Sequence, residues 1–164
     1  MPVSVTLACP NDAQAIANIA RLCALEVDVE CELARDWAHL WVARAADGPE
    51  PVVGMLLAWE VADELHLLDL GTHPDHRRQG VARRLLEALL RHGEARRIRL
   101  VILEVRRSNQ AARRLYRSSG FSEVDVREAY YANPLEDAIV MHLELQPAAT
   151  GTALAPRSDR PARP

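Results

Sequence analysis

The sequence predicts an α/β fold in which helices flank a mixed, mostly antiparallel sheet. Strand-like apolar segments separated by turn signals dominate the first 72 residues, as in an antiparallel meander. From residue 65 to residue 119 strand and helix patterns alternate, which is typical of a βαβ unit with parallel strands. The chain of 164 residues suits one domain, which we expect over residues 1–146. The aperiodic Pro-, Ala- and Arg-rich segment 147–164 is predicted to be a disordered tail.

The first half of the chain contains three predicted strands and two predicted helices. Ile16, Ile19 and Cys23 recur at helical spacing behind Asn11 or Asp12, either of which can cap a helix. A turn signal at residues 47–49 separates the second strand from the third. The predicted strands are Val3–Ala8, Leu40–Ala45 and Val52–Val61, and the second helix covers Glu32–Ala38.

The second half contains two further helices and four further strands. A continuous apolar stripe runs along the helix predicted over Val81–His92, and Gly93 is predicted to end it. The second of these helices covers Asn109–Ser119. The predicted strands are Leu65–Thr72, Arg99–Arg106, Phe121–Arg127 and Ala138–Leu145, and Tyr130 and Tyr131 are placed in the loop between the last two.

Composition and charge argue against several classes of protein. The formal net charge is −3 and the tail contributes +2, so residues 1–146 carry about −5 and suit nucleic acid poorly. No apolar run approaches the ~20 residues of a membrane helix, and the amino terminus lacks the pattern of a secretory signal. Three cysteines without CxxC spacing favour a reducing compartment. We therefore expect a cytoplasmic protein that binds neither nucleic acid nor membranes.

The loop before the helix at Val81 is a candidate anion site. Gly80 lies where a strand-to-helix turn directs backbone N–H groups and the positive end of the helix dipole toward a ligand. Arg77 and Arg78 add positive charge, so the loop suits a diphosphate. The alternative is a plain connector, because one glycine in an arginine-rich loop is neither a Walker loop nor a dinucleotide fingerprint.

Glu104 is a candidate general base. It shares a strand face with Leu100 and Ile102, close to the carboxyl end of the strand, where ligands of α/β sheets bind. A partly buried carboxylate there suits proton abstraction near neutral pH. The alternative is a structural ion pair with Arg106 or Arg107.

Tyr116 is a candidate general acid. A phenol with an ordinary pKa of about 10 can donate a proton to a leaving thiolate of similar basicity. The alternative is an amphipathic tyrosine that covers the core while its hydroxyl stays in water.

Other polar residues give weaker signals. Asp69 is either a second carboxylate of the site or a strand-end residue that bonds to neighbouring backbone. His73 and His76 place two imidazoles close together, but no further ligand stands at metal spacing, so no metal site is predicted. The cysteines all precede residue 32, which disfavours an acyl-cysteine intermediate.

These motifs occur in a characteristic order along residues 65–145. They read Leu70-Gly71-Thr72, Arg77-x-x-Gly80-x-Ala82, Leu103-Glu104-Val105-Arg106-x-x-Asn109, Leu115-Tyr116, Gly120-Phe121, Tyr130-Tyr131 and Glu136-Asp137-Ala138. As a set they resemble the GNAT acetyltransferases, and within them the bacterial RimI type, the ribosomal-protein alanine N-acetyltransferases. Ala82 departs from the commoner glycine, and the residues before position 60 offer no clear match to the RimI type.

The resemblance implies a sheet splayed in its middle, with acetyl-CoA as co-substrate in the opening and no metal. It implies that Glu104 is the general base and Tyr116 the general acid. The residues implied to bind acetyl-CoA are Leu70, Gly71, Thr72, Arg78, Gln79, Gly80, Val81, Ala82, Arg83 and Asn109. We expect the acceptor to contact Tyr130, Tyr131 and Asp69, because paired aromatic rings can clamp an extended peptide.

We therefore expect an acetyl-CoA-dependent N-acetyltransferase that modifies the α-amine of a protein amino terminus, with a ribosomal protein as the preferred candidate. One alternative is acetylation of a small amine such as an amino acid, a polyamine or an antibiotic, since the fold and acetyl-CoA would be shared. The other alternative is a non-catalytic acyl-CoA-binding protein, against which the presence of both Glu104 and Tyr116 argues. The oligomeric state is left open.

Overall fold

The computed structural model describes residues 3–46 and 52–145, which form seven strands and four α-helices. The strands are β1 (Val3–Leu7), β2 (Ala38–Ala45), β3 (Val52–Val61), β4 (Glu64–Thr72), β5 (Leu100–Arg106), β6 (Ser122–Ala132) and β7 (Leu135–Glu144). The helices are α1 (Ala13–Leu22), α2 (Val29–Leu33), α3 (Val81–Arg96) and α4 (Gln110–Ser118). The turn signal at 47–49 and the predicted tail at 147–164 lie outside the described residues.

All seven strands belong to one sheet with the order β1-β2-β3-β4-β5-β7-β6. The pair β4–β5 is parallel and every other pair is antiparallel. The parallel pair is connected through α3, which is the crossover that parallel strands require. The predicted mixed, mostly antiparallel sheet with flanking helices is thus confirmed.

Two apolar cores cover the two faces of the sheet. On one face α3 buries Leu85, Leu86 and Leu89 against the sheet, and we call this the α3 face. On the other face α1 buries Ile16 and Ile19 against β2 and β3, and we call this the α1 face. The helical spacing seen in the sequence marks the residues that enter these cores.

The structure corrects three predicted element boundaries. The second helix covers Val29–Leu33 rather than 32–38, because Asp28 caps it through the Cys31 N–H and the chain is already extended at Ala38. Helix α3 continues past Gly93 to Arg96. Gly93 is buried where an added Cβ would lie 2.6 Å from Leu145 Cδ1, so this glycine is required by packing rather than by a helix end.

The third correction concerns Tyr130 and Tyr131, which lie near the end of β6 and not in a loop. Tyr131 pairs with Glu136 of β7, so the hairpin is longer than its apolar pattern indicates. The sequence predicts that this strand ends at Arg127, because the residues of β6 are exposed and do not alternate clearly between apolar and polar side chains. Within the described ranges, no helix combines the length and the apolarity that crossing a membrane demands.

Candidate active site

The parallel strands β4 and β5 pair only over their first residues. Their register joins Glu64–Leu67 to Leu100–Leu103, and beyond those residues neither strand pairs with the other. Both strands nevertheless continue, β4 to Thr72 and β5 to Arg106. We call the opening between 68–72 and 104–106 the split. Its β4 edge has backbone groups without a partner strand, which suits an extended ligand.

A β-bulge at the mouth of the split turns Asp69 away from the α3 face. Leu67 pairs with Ala58, whereas Asp69 pairs with Leu57, so that Leu68 is an extra residue in β4. Residues directly opposite each other share a face, and Leu57 belongs to the α1-face core. The Asp69 carboxylate therefore lies on the α1 face, beside the opening.

The surroundings of Asp69 favour its protonated form. Burial raises the pKa of Asp69 to about 6, and the negative charge of Glu32 on α2 adds to this shift. Among the described residues Asp69 has no hydrogen-bond or ion-pair partner that would stabilise its charge. The alternative in which Asp69 bonds to neighbouring backbone therefore finds no support.

Glu104 lies across the split from Asp69 and on the same face. Its neighbours Leu103 and Val105 enter the α3-face core, so alternation along β5 directs Glu104 to the α1 face. Its side chain is 22% exposed, and its Oε1 lies 3.0 Å from Nη1 of Arg127 on β6. The ion pair anticipated with Arg106 or Arg107 is thus made by Arg127, which is much farther along the chain.

Tyr116 is buried, with 5% of its surface exposed. Its ring packs in the α3-face core, with its centroid 5.8 Å from that of Phe121. Burial raises the pKa of Tyr116 well above the ordinary value, and the charges of Tyr131 and Asp69 raise it further. The phenol is therefore a protonated donor near the split, and not a surface tyrosine with its hydroxyl in water.

Tyr130 and Tyr131 are neighbours on β6, and their contact with the acceptor stays a prediction. Their ring centroids are 5.2 Å apart with perpendicular planes. The Arg106 guanidinium lies 4.1 Å from the centroid of Tyr131. Arg106 also donates hydrogen bonds to the carbonyls of Asn133 and Pro134 and to Glu136. Arg106 therefore fixes the hairpin end and the Tyr131 ring together.

The turn predicted to bind an anion lies at the amino terminus of α3. Gly80 precedes α3 with φ +82°, a left-handed conformation that favours glycine, and Arg78 also has a positive φ of 60°. An added Cβ at Gly80 would meet nothing within 4 Å, so the space above it is open. The Arg84 N–H donates to the Gly80 carbonyl, whereas the N–H groups of Val81, Ala82 and Arg83 precede the helical hydrogen-bond pattern. These donors fit a phosphate-bearing ligand.

Thr72 and Gly71 connect this anion site to the split. Thr72 Oγ1 is buried without a hydrogen-bond partner among the described residues, so a polar group is left available at the end of β4. Gly71 is needed for another reason, since an added Cβ would lie 3.2 Å from both Cys23 Sγ and Leu25 Cδ1. A larger residue at position 71 would push α1 away from β4.

Asn109 has a structural role in addition to the predicted one. Its Oδ1 accepts a hydrogen bond of 3.1 Å from the Ala112 N–H and so caps α4. This bond does not use the two N–H donors of the side-chain amide. Asn109 is exposed at the α4 end of β5, so any contact with a ligand would be made at the rim of the split.

Sequence reasoning missed Arg127, Arg106 and Glu32, which surround the predicted site residues. Glu32 is buried on α2, where it accepts a 2.7 Å hydrogen bond from Trp59 Nε1. Local sequence gives no signal for Arg127 or Glu32, because both reach the site through the register of distant strands or helix packing. Arg106 was visible only as part of a motif.

Comparison with known proteins identifies relatives for most of the described chain. The model of the acetyltransferase (GNAT) family matches residues 13–121. A ribosomal protein bS18-alanine N-acetyltransferase of Escherichia coli K12 is 45% identical over 87 residues, which are 52% of this chain and 59% of the relative. The chain thus spans about three fifths of the length of that relative. The N-alpha-acetyltransferase RimI of Mycobacterium tuberculosis is 41% identical over 78 residues, 48% of each protein.

A solved structure extends the likeness to nearly the whole fold. The crystal structure of the ribosomal-protein-S18-alanine N-acetyltransferase from Escherichia coli superposes with a TM-score of 0.79 at 28% identity. The superposition covers 92% of this chain and 99% of that one. The residues before position 60, which offer no clear match to the RimI type in sequence, therefore take part in a shared architecture.

Proposed function

Because the chain belongs to the acetyltransferase (GNAT) family, we propose that it transfers the acetyl group of acetyl-CoA to the α-amine of a protein amino terminus. The observation that carries this proposal is the split between β4 and β5, which has Asp69 and Glu104 on one face and the anion-binding turn of α3 at its end. The names of the relatives described above support a ribosomal protein as the acceptor.

Acetyl-CoA fits the donors that the chain offers. The N–H groups at the start of α3 and the side chains of Arg78 and Arg83 would bind the pyrophosphate. The unpaired backbone edge of Leu70–Thr72 would bind the pantetheine arm, and Thr72 Oγ1 would gain the hydrogen-bond partner that it lacks. The predicted role of Asn109 is a contact with the same arm through its free NH2 group.

The proposed reaction is direct transfer between the two bound substrates. Glu104, directly or through a water molecule, takes a proton from the ammonium group, which then attacks the thioester carbonyl as a neutral amine. Backbone N–H groups along Leu70–Thr72 stabilise the developing oxyanion. The C–S bond breaks, and the Tyr116 hydroxyl protonates the leaving thiolate. No enzyme nucleophile is required.

The charges around the split support an amine acceptor. Asp69, Glu104 and Glu32 lie on the α1 face and attract an ammonium group. Arg127 already occupies the cation position beside Glu104, which shows that this carboxylate accepts a positive partner at hydrogen-bonding distance. Tyr130 and Tyr131 would hold the peptide that follows the amine, because Arg106 keeps the Tyr131 ring in place.

The decisive experiment measures the release of CoA thiol from acetyl-CoA across matched acceptors. One set contains peptides with free Ala, Ser or Met amino termini, a second contains the same peptides Nα-blocked but with a lysine, and a third contains small amines. The chain has no lysine, so its own side chains offer no lysine amine as a competing acceptor in this assay.

Turnover with the free amino termini alone is the expected result, with peptides from the amino termini of ribosomal proteins preferred. Turnover with small amines alone would replace the proposal by a metabolite or resistance activity. Binding of acetyl-CoA without turnover of any acceptor would indicate an acyl-CoA-binding protein.

A further inference from the structure

Three polar side chains meet on the α3 face, away from the split. His39 Nε2 and His92 Nε2 each lie 3.0 Å from the same oxygen, Oε2 of Glu60. The ligand atoms of the three side chains all lie within 4.8 Å of one another. We call this group the His39–Glu60–His92 cluster. It joins β2, β3 and α3, and the acetyl-transfer chemistry does not use it.

The cluster is remote from the proposed reaction. Glu60 pairs with Leu65 on β4, on the closed side of the split. Gly71 lies six residues farther along β4, a strand length of roughly 20 Å. A ligand of the cluster would therefore bind to a second site and not to the acetyl-CoA site.

The carboxylate of the cluster is oriented by a neighbouring arginine. Arg96 donates two hydrogen bonds, of 2.8 and 3.1 Å, to Oε1 of Glu60. This leaves Oε2 as the oxygen that faces both imidazoles. Burial opposes ionisation of Glu60, but the hydrogen bonds from Arg96 and His92 outweigh it and hold the Glu60 pKa below its ordinary value. The carboxylate is thus ionised and fixed in direction.

The two imidazoles are held close together by aromatic packing. The rings of His39 and His92 are 4.5 Å apart and pack around Trp41. Both Nε2 atoms are directed at Oε2 of Glu60 through hydrogen bonds, and a bound metal ion would take the place of the protons in these bonds.

We propose that the His39–Glu60–His92 cluster binds a divalent transition-metal ion of the zinc type. Two imidazole nitrogens and one carboxylate oxygen are a known ligand set for Zn²⁺, with ligand bonds of about 2.0–2.2 Å. Tetrahedral ligands at that length are about 3.3 Å apart, close to the observed 3.0 Å. Hard cations such as Mg²⁺ and Ca²⁺ are disfavoured, because they prefer oxygen ligands.

Solvent reaches one side of the cluster. A surface pocket of about 240 Å³ adjoins the cluster and is lined by Asp36, Trp37, His39, Glu60 and Arg96. Water can complete the coordination from this pocket. The bound ion would tie the second half of α3 to the sheet, so metal binding would stabilise the folded chain.

The test is a titration of tag-free protein, treated with EDTA and dialysed, with Zn²⁺ by calorimetry and with Co²⁺ by absorption spectroscopy. One equivalent of Zn²⁺ should bind, and Co²⁺ should give the absorption of a four-coordinate site. His92→Ala and Glu60→Gln should each weaken Zn²⁺ binding about 100-fold or more, since even loss of a partner behind a metal ligand costs about 10–100-fold. Zn²⁺ should raise the melting temperature of the unchanged protein but not of these variants.

His66→Ala is the matched control. His66 Nε2 lies 3.2 Å from Glu64 Oε2, an imidazole–carboxylate pair without a second histidine. Its removal should leave Zn²⁺ affinity unchanged. His92→Gln serves as a second variant, and circular dichroism verifies that each variant is folded. The proposal is overturned if the unchanged protein binds no Zn²⁺, or if folded His92 and Glu60 variants keep its affinity.

Discussion

The Nη1 atom of Arg127 lies 3.0 Å from Oε1 of Glu104, so that a side chain of β6 reaches across β7 to β5 on the side away from the split. The Arg127 side chain is 51% exposed, and such ion pairs contribute only about 0–1 kcal/mol. An incoming ammonium group can therefore replace the guanidinium at small cost. Glu104 thus already has a cation in the position where the proposed acceptor amine must lose its proton.

Glu104→Gln should lower kcat by about 10²–10⁴-fold, because the amide cannot accept the proton of the amine. The dissociation constant for CoA should stay unchanged, since the role proposed for Glu104 concerns the acceptor amine and not CoA. Steady-state kinetics and calorimetry measure the two quantities. Glu123→Gln is the control, because Glu123 pairs with Arg113 and Arg117 and not with site residues. Equal turnover of the Glu104 variant would remove Glu104 from the mechanism.

Tyr116→Phe should reduce kcat strongly while the melting temperature changes little, because the ring that packs against Phe121 is retained. The raised pKa of Tyr116 keeps the phenol protonated below pH 10, so the unchanged enzyme should lose no activity through this group up to that pH. A pH profile of kcat tests this, with Tyr130→Phe as the exposed control. Undiminished kcat in Tyr116→Phe would exclude a role as acid.

Gly80→Ala should weaken CoA binding about ten-fold, because a side chain at φ +82° costs about 1–2 kcal/mol and displaces the backbone donors. Gly120→Ala is matched to it, since Gly120 has φ +96° but follows α4 and does not precede α3. Both variants should lose thermal stability, whereas only the first should bind CoA more weakly. Similar CoA affinities would show that the loop is a plain connector.

Asp69→Asn should stabilise the protein at pH 7. Burial raises the pKa of Asp69 from 3.8 unfolded to about 6 folded, so the folded state binds the proton more tightly. The resulting stability is present below pH 4 and is lost as the pH rises through 6. The asparagine variant should avoid this loss, which is on the order of 2–3 kcal/mol at pH 7 and vanishes below pH 4.

Urea denaturation at pH 4 and pH 7 measures the effect at position 69, with the exposed Asp125→Asn as control. A pH-independent difference would mean that the carboxylate is not desolvated. The same variant should raise the KM for the acceptor peptide, because one negative charge near the entering ammonium group is lost.

Tyr131→Ala should raise the KM for acceptor peptides several-fold with little effect on CoA binding. The substitution removes the ring that stacks on Arg106 and that would contact the peptide. Tyr131→Phe keeps the ring and should behave like the unchanged enzyme. If peptide KM is the same in Tyr131→Ala, the clamp is absent.

Local periodicity predicted the elements that carry the site but not the contacts within it. The strand Val52–Val61 has the predicted bounds, and α3 begins at the predicted Val81, because apolar spacing and Gly80 determine them. The pair of Glu104 and Arg127 depends on how β6 and β7 align, and that alignment is interrupted by two irregularities. No pattern within either segment reveals such a register.

The histidine cluster was missed for a related reason. His73 and His76 are three residues apart in one segment, which was weighed as a metal site, whereas His39, Glu60 and His92 come from three separate elements. Only the packing of α3 on β2 and β3 brings them together. The spacing of metal-binding residues along the sequence reveals sites within one loop. It does not reveal sites whose residues come from elements that are distant in sequence.

The extra residue in β4 gives Leu68 an importance that its own side chain lacks. Leu68 is exposed, so many side chains can replace it without loss. Its removal would join Leu67 directly to Asp69, and both residues would keep their faces, because Ala58 and Leu57 opposite them alternate in the same way. If Leu68 instead entered the ladder as a regular residue, Asp69 would turn into the α3-face core and Leu70 would leave it. The unpaired state of residue 68, and not the identity of its side chain, therefore determines which face of the sheet receives the carboxylate.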